Sequence, residues 1–355
     1  MTHEAERNPA PELLVRREGA LGRLTLNRPE ALGALTLGMC EAMTAALLEW
    51  RDDPAVERVA VDHAGRGFCA GGDIRFLADS AAQGGEGAFR FFHTEYRLDH
   101  LMEVYPKPIV ALMDGVTMGG GVGLSLPARY RVATERTRFA MPETGIGLFP
   151  DVGGGWHLPR LPGRVGLWMV LTGARLGPAD CRRIGVANHY VGSANLDLLK
   201  AALAKPGADI DAALAEVAGD AGSAPIEDQI GAIDAFFAEE SVEAIVTALE
   251  ADGTGWAKTQ LAAMAPKCPL SAKVSFRQIA QLRPRTFADD MVIEYRLARR
   301  IVMRPDFTEG VRAVIVEKDN APVWSPSTSE GVTEALVDEM FAPLPAGEEW
   351  TPLPA

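Results

Sequence analysis

The chain has 355 residues, with 35 Lys or Arg against 48 Asp or Glu, which gives a formal net charge of −13. Hydrophobic residues make up 47% and charged residues 23%, as in ordinary globular proteins, so disorder over most of the length is excluded. The acidity argues against nucleic-acid binding, and the lack of any 18-residue apolar stretch argues against a membrane span.

Short strands and helices alternate in the first half of the predicted structure. The strands are indicated by alternating or continuous apolar residues, and the helices by apolar residues three or four positions apart. Residues 89–105 mix aromatic and charged side chains and yield no predicted element. In chain order we predict strands at 13–17 and 21–27, a helix at 36–52, a strand at 56–64, a helix at 73–80, a glycine-rich loop at 81–88, a strand at 108–113, a turn into a helix at 119–126 and a strand at 130–133.

Beyond residue 190 the composition changes to Ala-rich and acidic segments with helical spacing. We therefore predict an α/β unit over residues 12–190 and a mainly helical region over 191–342, with loose tails at 1–11 and 343–355. The predicted helices of the second half are 196–204, 209–218, 241–251, 254–265, 270–281 and 287–302.

The amino end and the cysteines indicate the compartment. Residues 1–14 are polar and contain proline, so we expect neither a secretory signal nor a transit peptide. The four cysteines, Cys40, Cys69, Cys181 and Cys268, lie far apart without a CxxC pair, which argues against a zinc knot or a disulfide framework. We expect a cytoplasmic protein that binds no metal.

Several common catalytic patterns are missing from the sequence. None of the six histidines forms an HExxH pair, and no GxSxG elbow or GxxxxGK[ST] loop occurs. A dinucleotide-binding GxGxxG is also absent, because residues 119–124 fail at the last position. Zinc hydrolases, serine hydrolases of the elbow type and P-loop enzymes are therefore disfavoured.

Three glycine-rich turns remain, at residues 67–74, 114–123 and 141–155. The first two each follow a predicted strand and precede a predicted helix. Glycine lets a backbone N–H approach a ligand closely, and the first N–H groups of a helix have no internal partner. Two such turns brought together could hold one oxygen between two N–H donors, which is an oxyanion hole.

The third glycine-rich turn supplies two carboxylates eight residues apart, Glu143 and Asp151, and each lies beside a proline that stiffens the loop. On the residues alone two interpretations stay open. The carboxylates are either acid–base groups of a site, or Asp151 simply caps a helix that begins at the glycines after it.

Motifs in all three turns resemble the crotonase (enoyl-CoA hydratase/isomerase) superfamily. They are residues 68–73, 118–123 and 142–155, and within the superfamily they are most similar to the 3-hydroxyisobutyryl-CoA hydrolases of valine breakdown. Residues 291–297 and 306–322 are similar to the carboxy-terminal half of that group, so the resemblance covers most of the chain.

The resemblance implies a ClpP/crotonase-type α/β fold, a spiral of ββα units followed by a carboxy-terminal helical region. It also implies a coenzyme A thioester as substrate. The thioester carbonyl would lie between the N–H groups of Ala70 and Gly120, and Gly71, Gly72 and Asp73 would line the coenzyme A groove. No cofactor is implied beyond coenzyme A as part of the substrate, and a homotrimer or homohexamer is common in the family.

The same resemblance favours thioester hydrolysis over hydration. Hydratases carry a second catalytic glutamate where this chain has Gly123, whereas the hydrolases pair the residue matching Glu143 with an aspartate that Asp151 matches. Glu143 would act as nucleophile or as general base, and Asp151 would orient the 3-hydroxyl or share a proton with Glu143. Glu95 matches a glutamate that contacts substrate. The alternatives are enoyl-CoA hydration or isomerisation on the same scaffold, and a non-catalytic acyl-CoA-binding subunit.

Overall fold

The structure is a computed structural model and describes residues 11–354. Within that range nine strands form two sheets. The strands are β1 (Leu13–Glu18), β2 (Leu21–Leu26), β3 (Arg58–His63), β4 (Gly67–Cys69), β5 (Ile109–Met113), β6 (Val116–Met118), β7 (Tyr130–Ala133), β8 (Arg138–Ala140) and β9 (His189–Tyr190).

The larger sheet has the order β1-β2-β3-β5-β7-β9, and the smaller sheet has the order β4-β6-β8. Only β1 and β2 run antiparallel, joined by a tight turn in which Gly19 has φ +61°. The other pairs are parallel, so each needs a crossover connection. Parallel strands are covered on both faces, which explains why all five residues of β5 are buried.

The described residues contain sixteen α-helices, none of which combines the length and apolarity needed to cross a bilayer. In the first half they are α1 (Leu37–Asp52), α2 (Ile74–Ala81), α3 (Glu86–Glu103), α4 (Gly120–Gly123), α5 (Gly154–His157), α6 (Val165–Thr172) and α7 (Pro178–Ile184). In the second half they are α8 (Leu196–Leu203), α9 (Ile210–Glu216), α10 (Ile230–Phe236), α11 (Val242–Asp252), α12 (Gly255–Met264), α13 (Pro269–Phe276), α14 (Phe287–Ile301), α15 (Pro305–Val311) and α16 (Glu334–Phe341).

Most of the predicted elements are present, with one large exception. Residues 81–88 and 89–105, predicted as a loop and as no element, contain the 18-residue helix α3, which begins at Glu86. The sequence analysis also missed the three strands of the smaller sheet, which are three residues long. Such short strands show no period, because alternation needs about four residues to become visible.

The hydrophobic core runs across the predicted boundary at residue 190. One cluster of buried side chains extends from Leu13 in β1 to Trp350 near the end of the chain. The change in composition coincides with the end of β9, the last strand. The helical region therefore shares its core with the α/β unit, and the two-domain division stays a prediction.

Residues 343–354 pack against the fold, so the predicted loose carboxy-terminal tail is wrong over this range. Trp350 is 1% exposed, and its indole N–H donates to the carbonyl of His93 in α3 at 3.3 Å. Arg296 pairs with Glu349 at 2.8 Å. A buried tryptophan offsets the cost of ordering the segment. Residues 1–10 of the predicted amino-terminal tail lie outside the described residues.

A close backbone contact joins α15 to the turn Glu143–Ile146. A Cβ atom at Gly310 would lie 2.4 Å from the carbonyl carbon of Ile146, which cannot move as a side chain can. We expect Gly310→Ala to lower the free energy of unfolding by about 1–3 kcal/mol through overpacking. Thermal melting measures this loss. Gly231→Ala is the control, because Gly231 is an exposed helical glycine where an added Cβ atom would have nothing within 4 Å. We expect this variant to raise the free energy of unfolding by about 0.5–1 kcal/mol. Equal melting of the two variants would contradict the prediction.

Candidate active site

A cavity of about 620 Å³ lies where the three glycine-rich turns meet the helical region. From the second half, residues 266–267 and 314–322 contribute to its wall. Of the eight residues predicted for the site, seven line this cavity and Asp73 does not. The seven are Ala70, Gly71, Gly72, Glu95, Gly120, Glu143 and Asp151.

The first two glycine-rich turns touch each other at the cavity wall. Gly71 has φ +115°, and a Cβ atom there would lie 3.7 Å from the Cα of Gly119 and 3.8 Å from the amide nitrogen of Gly120. Gly120 is the first residue of α4, so its N–H has no partner within the helix. This amide faces a ligand position beside the first turn.

The second amide of the pair belongs to Gly72 rather than to Ala70. The N–H of Ala70 donates to the carbonyl of Leu32 at 3.0 Å and is not free to bind a ligand. On either side of Gly72, the carbonyl of Gly71 accepts the N–H of Leu35 at 2.8 Å, and the N–H of Asp73 donates to the carbonyl of Leu35 at 2.9 Å. The N–H of Gly72 itself has no acceptor within residues 11–354. The predicted donor pair is therefore corrected from Ala70 and Gly120 to Gly72 and Gly120.

The Asp73 carboxylate has structural partners instead of facing the cavity. It accepts the N–H of Phe76 at 3.3 Å as the N-cap of α2, and it pairs with Arg28 at 3.0 Å. A capping carboxylate stabilises a helix start by satisfying free N–H groups. The side chain of Asp73 is thus engaged within the protein, and its predicted place in the coenzyme A groove stays a prediction.

Glu143 begins the 3₁₀ turn Glu143–Ile146 and is 5% exposed. Its Oε2 is buried and has no hydrogen-bond partner among the described residues. A Cβ atom at Gly119 would lie 3.6 Å from Oε1, so the carboxyl faces the second glycine-rich turn. Burial first and the charge of Asp151 second raise the pKa of Glu143 well above its usual range, whereas Lys267 opposes the shift.

Asp151 is 5% exposed and accepts the hydroxyl of Tyr96 at Oδ2 over 3.0 Å. Burial raises its pKa to about 7, and the bond from Tyr96 opposes this shift. The N-cap of α5 is Gly153, and the side chain of Asp151 caps no helix. Of the two interpretations left open by the sequence, the acid–base one therefore agrees with the geometry.

Glu95 lies on the buried face of α3, not in a loop, and is 2% exposed. Its Oε1 has no partner among residues 11–354, and a Cβ atom at Gly120 would lie 2.6 Å from it. Burial, followed by the charges of Asp99 and Asp151, raises the pKa of Glu95 well above its usual range. The carboxyl of Glu95 therefore lies beside the free amide of Gly120 and faces the same ligand position.

Asp99, one helical turn after Glu95, lies in the space that a side chain at position 123 would need. A Cβ atom at Gly123 would lie 2.6 Å from Asp99 Oδ1 and 2.8 Å from the Cβ of Val152. A side chain at position 123 has no room unless these two move.

The sequence analysis missed Asp99 and Tyr96, which share a helix with Glu95 and would have been found had α3 been predicted. It also missed two cations that line the cavity, Arg175 and Lys267.

The buried Asp99 predicts a pH-dependent stability. Both of its carboxyl oxygens lack partners within the described part of the chain, and burial raises its pKa well above the ordinary 3.8. The folded state therefore binds the proton more tightly than the unfolded state. The resulting stabilisation is complete below about pH 4 and is lost as the pH rises towards the folded-state pKa.

We expect Asp99→Asn, which cannot ionise, to remove this loss. The difference in melting temperature, variant minus wild type, should therefore increase between pH 4 and pH 8, whatever the constant cost of the amide. Melting curves over that range measure it, with the exposed Asp79→Asn as control. A difference that is flat with pH would contradict the prediction.

No group of three or more His, Cys, Asp or Glu side chains within residues 11–354 is arranged to hold a metal ion. Cys69 is buried beside the site, and burial raises the pKa of its thiol to about 12. The thiol stays protonated near neutral pH, so Cys69 is a small buried residue rather than a nucleophile.

The fold and these paired glycine turns define a class of protein. A family model described as enoyl-CoA hydratase/isomerase matches residues 21–341, and the chain therefore belongs to this family, the crotonase superfamily. Among individual proteins, it is similar to the mitochondrial 3-hydroxyisobutyryl-CoA hydrolases of Danio rerio and Homo sapiens. The first is 43% identical over 352 residues, 96% of this chain and 92% of the relative. The second is 40% identical over 346 residues, 94% and 89% of the two chains.

Two solved structures share the fold along the whole chain. A carnitinyl-CoA dehydratase from Mycobacterium thermoresistibile has a TM-score of 0.90 and 40% identity, covering 96% of this chain and 99% of its own. An enoyl-CoA hydratase from Rhodobacter sphaeroides 2.4.1 has a TM-score of 0.89 and 39% identity, covering 96% and 100%. The predicted fold of the α/β and helical parts is thereby confirmed. These two proteins are named for dehydration and hydration, whereas the relatives above are named for hydrolysis.

Proposed function

We propose that the protein hydrolyses the thioester of 3-hydroxyisobutyryl-CoA, or of a similar short 3-hydroxyacyl-CoA, to the free acid and coenzyme A. The observation that carries the proposal is the composition of the cavity. Glu143 and Asp151 face it together, whereas position 123 offers no second glutamate and no room for one. The hydrolases that share about 40% of the sequence support the same reaction.

In the proposed mechanism the carbonyl oxygen of the thioester lies between the N–H groups of Gly72 and Gly120. Negative charge grows on this oxygen when the carbonyl carbon is attacked, and preorganised donors stabilise it there. The C–S bond then breaks, coenzyme A leaves as the thiolate, and a proton from the site converts it to the thiol. One water molecule is consumed and one acid is released.

Glu143 takes one of two roles in this scheme. As general base it removes a proton from the attacking water, which its raised pKa favours near neutral pH. As nucleophile its Oε2 attacks the carbonyl carbon, expels the thiolate and forms a mixed anhydride that water then cleaves. Label found in the Glu143 carboxylate after a single turnover in H₂¹⁸O would establish the anhydride route, because only cleavage of the anhydride at the glutamyl carbon places ¹⁸O there.

Asp151 and Glu95 bind the substrate in the proposal, with Asp151 on the 3-hydroxyl. A site that hydrogen-bonds a substrate hydroxyl discriminates strongly against analogues without it. Gly71 and Gly72 line the coenzyme A groove. We further propose that the enzyme needs no metal or redox cofactor and takes part in valine breakdown. We also propose that it is cytoplasmic and assembles into a trimer or hexamer.

The test of the proposal is release of free coenzyme A thiol from 3-hydroxyisobutyryl-CoA, with hydration of crotonyl-CoA measured in parallel. Thiol release without hydration supports the hydrolase. Hydration without thiol release would favour the second candidate, an enoyl-CoA hydratase or isomerase. This candidate is supported by the names of the two similar structures, a carnitinyl-CoA dehydratase and an enoyl-CoA hydratase. Tight acyl-CoA binding with neither product would leave a non-catalytic binding subunit.

A further inference from the structure

The backbone that follows Asp151 is strained. Val152 has φ +56° and Gly153 has φ +86°, so two successive residues lie in the left-handed region. For a β-branched residue such as valine this conformation is a rare outlier, because its Cβ lies too close to the backbone. Strain of this kind persists only where the surroundings hold the backbone in place.

A carboxylate from the helical region holds this backbone. Glu294 of α14 is fully buried, and its two oxygens accept the N–H groups of Gly153 at 2.9 Å and Gly155 at 3.0 Å. A carboxyl oxygen accepts these bonds whether or not the group is ionised, and burial with the charges of Asp290 and Asp151 raises the pKa of Glu294 well above its usual range. Two bonds from one carboxyl group fix both the position and the direction of the segment after Asp151.

Two further buried side chains complete the attachment. The amide nitrogen of Gln278 donates to the carbonyl of Pro150 at 3.0 Å and to Glu294 Oε1 at 3.1 Å, so it joins the residue before Asp151 to the same carboxylate. A Cβ atom at Gly155 would lie 2.3 Å from Asp290 Oδ1, so this aspartate closes the other side. The loop is thus held on both sides of Asp151 by the helical region.

We propose that Glu294 is a positioning residue for Asp151: its carboxylate maintains the strained loop that aims Asp151 into the cavity. Glu294 does not line the cavity, so its hydrogen bonds reach the site through the loop rather than through a bound substrate. This gives the helical region a direct part in the site, beyond completing the cavity wall. The inference rests on the proposed function for its turnover test, although the attachment itself can be measured without turnover.

The test variant is Glu294→Gln, which keeps the size but replaces one acceptor oxygen with a donor and so repels one of the two amides. We expect kcat to fall about 10- to 100-fold, because a shift of about 1 Å at a site can cost 10²-fold. KM should stay within about threefold, since the coenzyme A groove is unchanged. Val152→Gly in the same chain should recover part of kcat, because glycine takes φ +56° without strain.

The decisive measurement is the same substitution in an Asp151→Asn background. A residue that acts through Asp151 has little further effect there, so Glu294→Gln should lower kcat less than threefold. An undiminished 10- to 100-fold loss in that background would overturn the proposal. Should Glu294→Gln not fold, Glu294→Asp keeps a carboxyl group, withdraws it by one methylene, and must show the same dependence on Asp151.

A matched control is Asp180→Asn. Asp180 is also buried and accepts two backbone amides, of Gly177 at 3.3 Å and Ile226 at 2.9 Å, but it lies outside the cavity wall. It should lower the melting temperature while leaving kcat of the folded enzyme within about twofold. A comparable loss of kcat in this control would assign the Glu294 effect to general destabilisation and overturn the proposal.

Failure of the proposed function is recognised separately, in the wild type. If the wild type hydrates crotonyl-CoA and releases no thiol, the same variants are compared on hydration. Amide hydrogen exchange at Gly153 and Gly155 tests the attachment without any substrate. Protection at one of the two amides at least should be lost in Glu294→Gln and kept at both in Asp180→Asn, and unchanged protection at both in Glu294→Gln would overturn the proposal.

Discussion

Glu143→Gln lowers the kcat for thiol release from 3-hydroxyisobutyryl-CoA by about 10²–10⁴-fold, the range that a positioned acid or base contributes. The amide keeps the volume of the carboxyl group but can neither attack the carbonyl carbon nor take a proton from water. The Oε2 that it replaces is buried, without a partner in residues 11–354, and faces the cavity. Binding of coenzyme A should be nearly unchanged, because the groove at Gly71 and Gly72 keeps its shape.

The measurement is steady-state thiol release, accompanied by coenzyme A binding by calorimetry. Glu103→Gln is the control, because Glu103 is a partly buried glutamate on α3 that is absent from the cavity wall. It should retain turnover within about twofold. Retention of more than a tenth of wild-type kcat by Glu143→Gln would remove Glu143 from the mechanism.

Asp151→Asn lowers the preference for 3-hydroxyacyl substrates. The ratio of kcat/KM for 3-hydroxyisobutyryl-CoA to that for isobutyryl-CoA should fall about 10- to 100-fold, since a hydrogen bond to a charged group contributes about 1.5–3 kcal/mol. The carboxylate is the better acceptor for a hydroxyl in a buried site, and asparagine offers only a neutral oxygen. Thiol release from the two thioesters, measured side by side, gives the ratio.

Tyr96→Phe is the companion variant for Asp151. It removes the 3.0 Å hydrogen bond to Oδ2 and leaves the carboxyl group itself. Because that bond lowers the pKa of Asp151 from an otherwise higher value, its loss should move the corresponding limb of the pH–rate profile upwards from about pH 7. An equal loss on hydroxylated and plain acyl groups in Asp151→Asn would contradict the role in hydroxyl binding.

Helix α3 shows why part of the site could not be predicted from the sequence. Its buried face contains Glu95 and Asp99 in addition to aromatic and aliphatic residues, so the apolar period is interrupted at these two positions. Apolar spacing is the signal by which a helix is recognised. The two buried carboxyl groups therefore weaken that signal in α3, whereas helix α1, with an uninterrupted apolar face, was predicted to within one residue at its start.

The amide pair shows a second limit. The glycines of both turns singled out by the resemblance line the cavity, and their role as amide donors stays a prediction. Which N–H of the first turn is free depends on bonds to Leu32 and Leu35, more than thirty residues earlier in the chain. Sequence motifs record residue identity, but the direction of a backbone amide depends on the tertiary partner of its neighbours. The structure is therefore needed to choose Gly72 over Ala70.

The occupied space at Gly123 constrains how this site can change over evolutionary time. Replacement of Gly123 by glutamate alone would bring a new side chain against Asp99 Oδ1 and Val152. Glutamate at position 123 therefore fits only if the side chain of Asp99 turns away or is replaced and Val152 shifts. The effect of a substitution at position 123 thus depends on the residue at position 99, which is epistasis with a steric origin.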